Sequence, residues 1–390
     1  MDGCDVAIIG AGIVGMAHAL AAARRGAKVI VLERSPRAAG ASVRNFGMVW
    51  PIGQQPGPRL TRALRSRELW LECAQQAGFW SQECGALHIA QQADELGVLE
   101  EFCEKYGAAG YGARMLSGEE ACAACPALRR SAVLGAMRTT QELCVHPREA
   151  IRSIPSMLSR RFGVEFGFET TVRHAETGRL GCADGRLICA DRTIVCSGPE
   201  TDLLFPALLR DAGVVRCKLQ MMRTAAQPEG WRLGSHLAAG LTLLHYPAFQ
   251  ACGGLPALRT RMEQEYGEHL RAGVHVLVSQ NSSGELVIGD SHEYGDHIEP
   301  FDQTRIEDLI RGYLHGFAEL PRPEIAERWH GIYAKNMNGR SEVVVRAMPG
   351  VFVVNGLGGM GMTLSLGLAE ETIDSILADR DWLSPESAAR

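Results

Sequence analysis

No apolar run in this 390-residue chain reaches the roughly 20 residues that a membrane span needs, and no block of like charge gathers along it. The first absence argues against a membrane as partner. The second, with 22% charged residues and a formal net charge of -5, argues against nucleic acid. A positively charged start is lacking too: Asp2 and Asp5 stand where a secretory signal would carry basic residues, so a cytoplasmic location is expected. No cysteine follows Cys252, and the 12 present are scattered from Cys4 onward, as expected of reduced thiols rather than a disulfide framework. Cys122 and Cys125 form the one close pair. A zinc site would need a second pair of ligands nearby, and none is evident, so the two read as thiols on a local helix and no metal is expected. The chain also lacks a repeat of fixed period and any long low-complexity segment, and only residues 384–390 read as a frayed tail. A chain of this length suits one large α/β domain or two interleaved lobes.

What is present is strongest at the N-terminus. Residues 5–10 make a short apolar run and residues 13–25 an alanine-rich helix. Gly10, Gly12 and Gly15 between them complete Gly-x-Gly-x-x-Gly. The first glycine permits the turn, the second lets a pyrophosphate approach the backbone, and the third allows close helix packing. The unpaired N–H groups at the helix start then hold the anion. Gly26 ends the helix, and the apolar residues 28–32 deliver Glu33, about 20 residues beyond the motif, to a ribose hydroxyl pair. An acid at that position argues against a 2′-phosphate and so against NADP. NAD and FAD both remain compatible with this unit.

A second glycine-rich turn lies near the other end. Residues 351–368 read as a strand, a glycine loop and a helix starting at about Thr363, with Gly356, Gly358, Gly359 and Gly361 close together. Such density lets backbone approach a flat or anionic group where side chains would collide, and the helix start aims its positive end at it. Nicotinamide enzymes do not need this late loop. In mid-chain, residues 193–196 form an apolar strand ending at Ser197 and Gly198, for which residues 351–354 look like a sheet partner. Residues 275–279 and 285–289 flank Gln280-Asn281-Ser282-Ser283-Gly284, a hairpin signature.

Taken in order, Ile8 to Gly15, Glu33-Arg34, the Ser42 to Val49 loop, Thr171-Val172, Ser197-Gly198, Trp329-His330-Gly331 and the Gly356 to Thr363 loop resemble the D-amino acid oxidase superfamily. Its glycine oxidase and sarcosine oxidase branch is the nearest in pattern. The resemblance implies an α/β fold: a Rossmann-like FAD-binding lobe with a parallel sheet, in residues 1–50, 140–215 and 330–390, interleaved with an α+β substrate lobe. That second lobe, residues 51–139 and 216–329, is expected to carry a mainly antiparallel sheet. It further implies that Ile13, Val14, Glu33 and Arg34 sit at the adenosine and pyrophosphate, with Val172 clasping the adenine. Ser42, Val43, Arg44, Gly47, Met48 and Val49 would line the flavin, with Ser197 and Gly198 close by. Leu357, Gly358, Gly359 and Met360 would follow the pyrimidine side, and Gly361 and Met362 would donate N–H groups to a flavin carbonyl ahead of Thr363. Some relatives attach flavin through a cysteine near the tryptophan segment. Here that stretch is His330-Gly331-Ile332-Tyr333, so non-covalent FAD is expected.

By resemblance the chemistry is oxidation of a carbon-nitrogen bond to an imine, which water hydrolyses, with dioxygen reduced to hydrogen peroxide. Two arginines that grip an amino acid carboxylate in the glycine and D-amino acid oxidases are absent, replaced by Tyr333 and Gly359. Other cations stand available in Arg44, Lys218, Arg223, Lys335 and Arg340. With the flavin loop and the late loop, this pattern looks most like a subgroup associated with phosphonate breakdown. It implies an aminophosphonate such as N-methyl-2-aminoethylphosphonate, its headgroup held by Arg44 with Lys218, Lys335 or Arg340. Tyr246, His330, Tyr333 and Met360 would shape the amine's approach. Alternatives are a glycine, sarcosine or D-amino acid oxidase, a dehydrogenase serving another electron acceptor, and a flavin-binding subunit without turnover. The residues leave the oligomeric state open.

Overall fold

The computed structural model describes residues 3–378. Its first strand β1 (Cys4–Ile9) is followed by helix α1 (Ile13–Arg24) and strand β2 (Val29–Leu32), the unit expected from the glycine spacing. β1 pairs in parallel with β2, Val6 opposite Val29, and on its other side with Leu187–Val195. That strand pairs in parallel with Val351–Asn355, Thr193 opposite Val351, so the two apolar segments far apart in sequence are sheet neighbours. Parallel strands covered on both faces must be apolar on both; Val6, Ala7, Ile8, Val351 and Val353 are accordingly fully buried. In α1, 10 of 12 residues are buried, because the helix is sandwiched between the sheet and the last helix, Gly361–Leu377. Its run of alanines allows that close fit.

The second sheet has nine strands. Its spine is Val214–Thr224, paired antiparallel with Ile325–Asn336 from Val214 opposite Asn336 to Thr224 opposite Ile325. The expected hairpin is present: Leu277–Gln280 pairs antiparallel with Leu286–Gly289, and the Asn281 side chain accepts from the N–H groups of Ser283 and Glu285. Only His236–Ala238 beside Ala86–Ala90 runs parallel in this sheet. A small third sheet joins Met48–Val49, Ser81–Glu83 and Leu143–Val145.

Two lobe boundaries fall elsewhere than the sequence suggests. The strand Ile325–Asn336 belongs throughout to the second sheet, so the chain returns to the first lobe after Asn336 rather than at residue 330. Helix α2 (Pro58–Ala77), expected in the substrate lobe, buries Ala63, Leu69, Trp70, Cys73 and Ala74 in the same core as α1 and the last helix. Helical periodicity reveals an apolar face but does not say which core covers it. Cys122 lies in the short helix Gly118–Ala124 with Cys125 just past its end, and all 12 cysteines are free. Among the described residues no helix is long and apolar enough to cross a membrane. The expected tail, 384–390, lies outside the described residues.

Candidate FAD and substrate site

One cavity of about 800 Å³ runs between the two lobes, at the larger end of the roughly 300–1,000 Å³ usual for ligand sites. At its dinucleotide end stand Gly10, Gly12, Ile13, Val14, Glu33, Arg34 and Val172. Gly10 has φ +103°, and a Cβ there would lie 2.4 Å from the carbonyl oxygen of Cys196, so only glycine makes this turn. Gly15 is not a lining residue. A Cβ on it would fall 1.9 Å from the Gly10 oxygen, which is the helix-against-strand contact expected of the third glycine. Glu33 accepts from the N–H groups of Ala11 at 2.9 Å and Ser35 at 3.0 Å, fixing a carboxylate whose remaining lone pairs face the cavity. Arg34 is paired with Glu200 at 2.8 Å. Ser42 Oγ accepts from the N–H of Ile13 at 2.9 Å, tying the flavin loop to the start of α1.

Further along the cavity, Ser42, Arg44 and Met48 face Ser197, Gly198 and the late loop from Leu357 through Thr363. Hydrogen bonds anchor that loop and the residue that leads into it. Trp50 N–H donates to Thr363 Oγ1 at 2.9 Å, Trp70 Nε1 donates to the Met362 carbonyl at 2.7 Å, and Asn355 Nδ2 donates to Ser197 Oγ at 3.2 Å. The last helix starts at Gly361, two residues before the expected Thr363. Val43, Gly47 and Val49 do not line the cavity. Gly47, with φ +75°, packs against the Val145 carbonyl, and Val49 is buried in the small third sheet; both hold up the wall from behind.

At the other end the cavity is walled by Trp50, Tyr246, Tyr333, Lys335, Met360 and Arg340. Tyr246 and Tyr333 are buried, and burial pushes both phenols up. Tyr333 and Gly359, the two positions that the resemblance matches to arginines, meet in space: a Cβ on Gly359 would lie 3.6 Å from Tyr333 Oη. Lys335 Nζ donates to Tyr294 Oη at 3.1 Å, and its partial burial lowers its pKa. Arg44 is exposed at the rim and donates to the His330 carbonyl at 3.4 Å.

Three expected groups lie away from this wall. His330 and Lys218 are not among the lining residues; both reach Asp302, each at 3.0 Å. Side chains alternate along a strand, so His330 leaves the face of its strand opposite to that of Tyr333 and Lys335. Lys218, registered with Ile332, shares that far face. Arg223 pairs with Glu285 and Glu327 at 2.6 Å. Conversely, His245, His275, Asp290 and His292 line the cavity, although nothing in the sequence singles them out. They come from three separate stretches of the chain, and only the flanks of the hairpin bring His275 against Asp290, joined by reciprocal backbone bonds of 3.2 and 3.0 Å.

The family model for FAD dependent oxidoreductases, DAO, matches residues 5–375. The chain belongs to that family. FAD is thus its cofactor, and the fixed Glu33 acceptor, the glycine cradle and the donors of the late loop fit it. Solved structures of similar fold include glycine oxidase from Geobacillus kaustophilus, with TM-score 0.76 and 19% identity over 98% of this chain and 96% of that one. Iminodiacetate oxidase from Chelativorans sp. BNC1 has TM-score 0.70 and 21% identity, covering 98% of both chains. Dithionite-reduced L-alpha-glycerophosphate oxidase from Mycoplasma pneumoniae, with FAD bound, has TM-score 0.73 and 18% identity over 98% of this chain and 96% of that one. At such identities the likeness establishes the fold. No curated protein matches the sequence of this DAO-family oxidoreductase.

Proposed function

We propose that the protein is an amine oxidase acting on an aminophosphonate such as N-methyl-2-aminoethylphosphonate. The C–N bond loses a hydride and a proton to become an imine, water hydrolyses this to phosphonoacetaldehyde and methylamine, and dioxygen takes up the electrons and protons as hydrogen peroxide. FAD, when bound, supplies the two-electron acceptor.

The observation that carries this reading is the exchange at the substrate end. Tyr333 and Gly359 adjoin one another where relatives keep carboxylate-gripping arginines, while Lys335, Arg44 and Arg340 line the same cavity. A single ammonium acts as a point charge that a dianionic, rotationally tolerant headgroup can share with peripheral guanidinium groups, whereas the fork that grips a planar carboxylate does not stand at Tyr333 or Gly359. The chain's own part is positional. Tyr246 and Tyr333 form a buried wall that disfavours an ammonium ion and thus favours the neutral amine from which hydride leaves, and Lys335 draws the anionic end away from the reacting carbon.

Hydrogen peroxide release by the purified yellow protein tests this, with 2-aminoethylphosphonate, its N-methyl derivative, glycine and sarcosine offered side by side. Turnover of a phosphonate alone is expected. Turnover of glycine or sarcosine alone overturns the phosphonate reading. Oxidation of the phosphonate amine only with an artificial electron acceptor makes the protein a dehydrogenase, and no turnover of any amine favours a flavin-binding subunit.

A further inference from the structure

Beside the substrate end, three imidazoles converge. One ligand-capable atom each from His245, His275 and His292 lies within 4.8 Å of the others. The His245 and His275 rings are 3.9 Å apart between centroids, and His275 and His292 are 5.1 Å apart. Such packing of polar rings in an interior needs partners, and the hydrogen bonds present are few. His292 Nδ1 lies 2.9 Å from the Gly273 carbonyl, which can only accept, so Nδ1 carries the proton and Nε2 holds the lone pair. His275 Nε2 lies 3.3 Å from Asp290 Oδ1, both side chains more than nine-tenths buried. Neither His275 Nδ1 nor Asp290 Oδ1 has a hydrogen-bond partner, and buried polar atoms left without one are costly.

We propose that His245, His275 and His292 form a site for a late first-row divalent cation, with zinc as the representative ion. The tautomer that the hydrogen bond fixes at His292 is one a metal requires. An imidazole ligand presents one lone pair and gives its other N–H to a carboxylate or a backbone carbonyl; the Gly273 carbonyl fills that role for His292, and the Asp290 carboxyl stands 3.3 Å from His275 Nε2, near enough to take it up for His275. Three neutral nitrogens suit zinc, copper or nickel and not magnesium or calcium, which take oxygen ligands. Donor atoms within 4.8 Å of one another stand close to the spacing a cation needs, since ligand nitrogens about 2.0–2.1 Å from zinc lie roughly 3.3–3.5 Å apart. The nearest cation, Lys335, already donates to Tyr294. Because all three histidines line the large cavity, the fourth coordination position is reachable from it, open to water or to an anionic oxygen of a ligand.

The site stands independently of the substrate, so metal binding is the measurement. The FAD-loaded protein, stripped with a chelator and dialysed against zinc, is analysed for metal and flavin in the same sample. One zinc per chain is expected. His275→Ala should abolish that equivalent, and Asp290→Asn should weaken it about 10- to 100-fold, the usual effect of losing a carboxylate behind a ligating histidine. His297→Gln, at an exposed histidine outside the cluster, should leave it unchanged and accounts for surface binding. Should His275→Ala fail to retain flavin, His245→Gln, whose ring is only half-buried, serves instead. Absence of zinc from the FAD-loaded protein, or equal zinc in wild type and the cluster variants, overturns the site.

Discussion

Lys335 and Arg44 both face the substrate end, but they differ in what surrounds them, and that difference fixes how much each contributes. Lys335 is partly buried, its pKa lowered by desolvation, so an anion beside it gains a charged hydrogen bond in a poorly solvated setting, about 1.5–3 kcal/mol. Arg44 is exposed, and an exposed charge pair is worth about 1 kcal/mol or less. Lys335→Met should therefore raise KM for a phosphonate amine about 10- to 100-fold, and Arg44→Met about fivefold or less, both with flavin content intact in the absorption spectrum. Unchanged KM in both variants would sink the assignment of the anion to this wall. At this scale the sequence speaks clearly where backbone geometry dictates a residue type. Gly10, Gly15 and Glu33 are legible because a turn, a close contact and a ribose acceptor each demand one chemistry at a set spacing. His330, beside a tryptophan, and Lys218, one of several available cations, are legible only as polar groups, and the face they occupy depends on strand register, which no local pattern supplies.

Helix α2 shows what becomes legible only with the whole element in place. Residues 51–139 as a block are expected in the substrate lobe, but the apolar face of α2 packs on the last helix, so that Trp70 reaches across to the Met362 carbonyl near the end of the late loop. α2 is thus a brace for the loop expected to run along the flavin. Trp70→Phe keeps most of the apolar surface and removes one buried hydrogen bond, a loss of about 0.5–1.5 kcal/mol. A drop of that size in urea stability is expected by circular dichroism, with FAD affinity weakened several-fold by flavin fluorescence titration. Lowered stability with unaltered FAD affinity would make the bond merely structural. The hairpin at residues 281–284, in contrast, was readable in advance, because the turn chemistry of Asn281 and Gly284 is local and does not depend on what the strands later face.

Across the whole molecule, buried titratable groups set how stability responds to acid, and two kinds act in opposite directions. Burial lowers His18 and His236 to about 4 and His88 to about 3, against about 6.5 unfolded. The unfolded chain takes up these protons first, so each histidine's contribution is complete above about pH 6.5 and is lost as pH falls toward its folded value. By pH 5 that amounts to about 2 kcal/mol per histidine at 1.36 kcal/mol per pH unit. Glu142, fully buried, has its carboxyl pushed up by burial to about 7, so the folded state binds its proton first. Its stabilising contribution is complete below about pH 4.5 and is lost as pH rises through 7; between pH 7 and pH 5 it offsets roughly one histidine. The histidines win, and because His292 is likewise lowered to about 4 and burial also lowers His245 and His275 while raising Asp290, urea stability should fall by at least about 4 kcal/mol from pH 7 to pH 5. His88→Gln, uncharged at both pH values, should shrink that fall by about 2 kcal/mol, whereas Glu142→Gln should deepen it by a similar amount while stabilising the protein at pH 7. Equal pH dependence in wild type and both variants would mean that these groups are hydrated in the native state and the lobes are looser around them than their burial indicates.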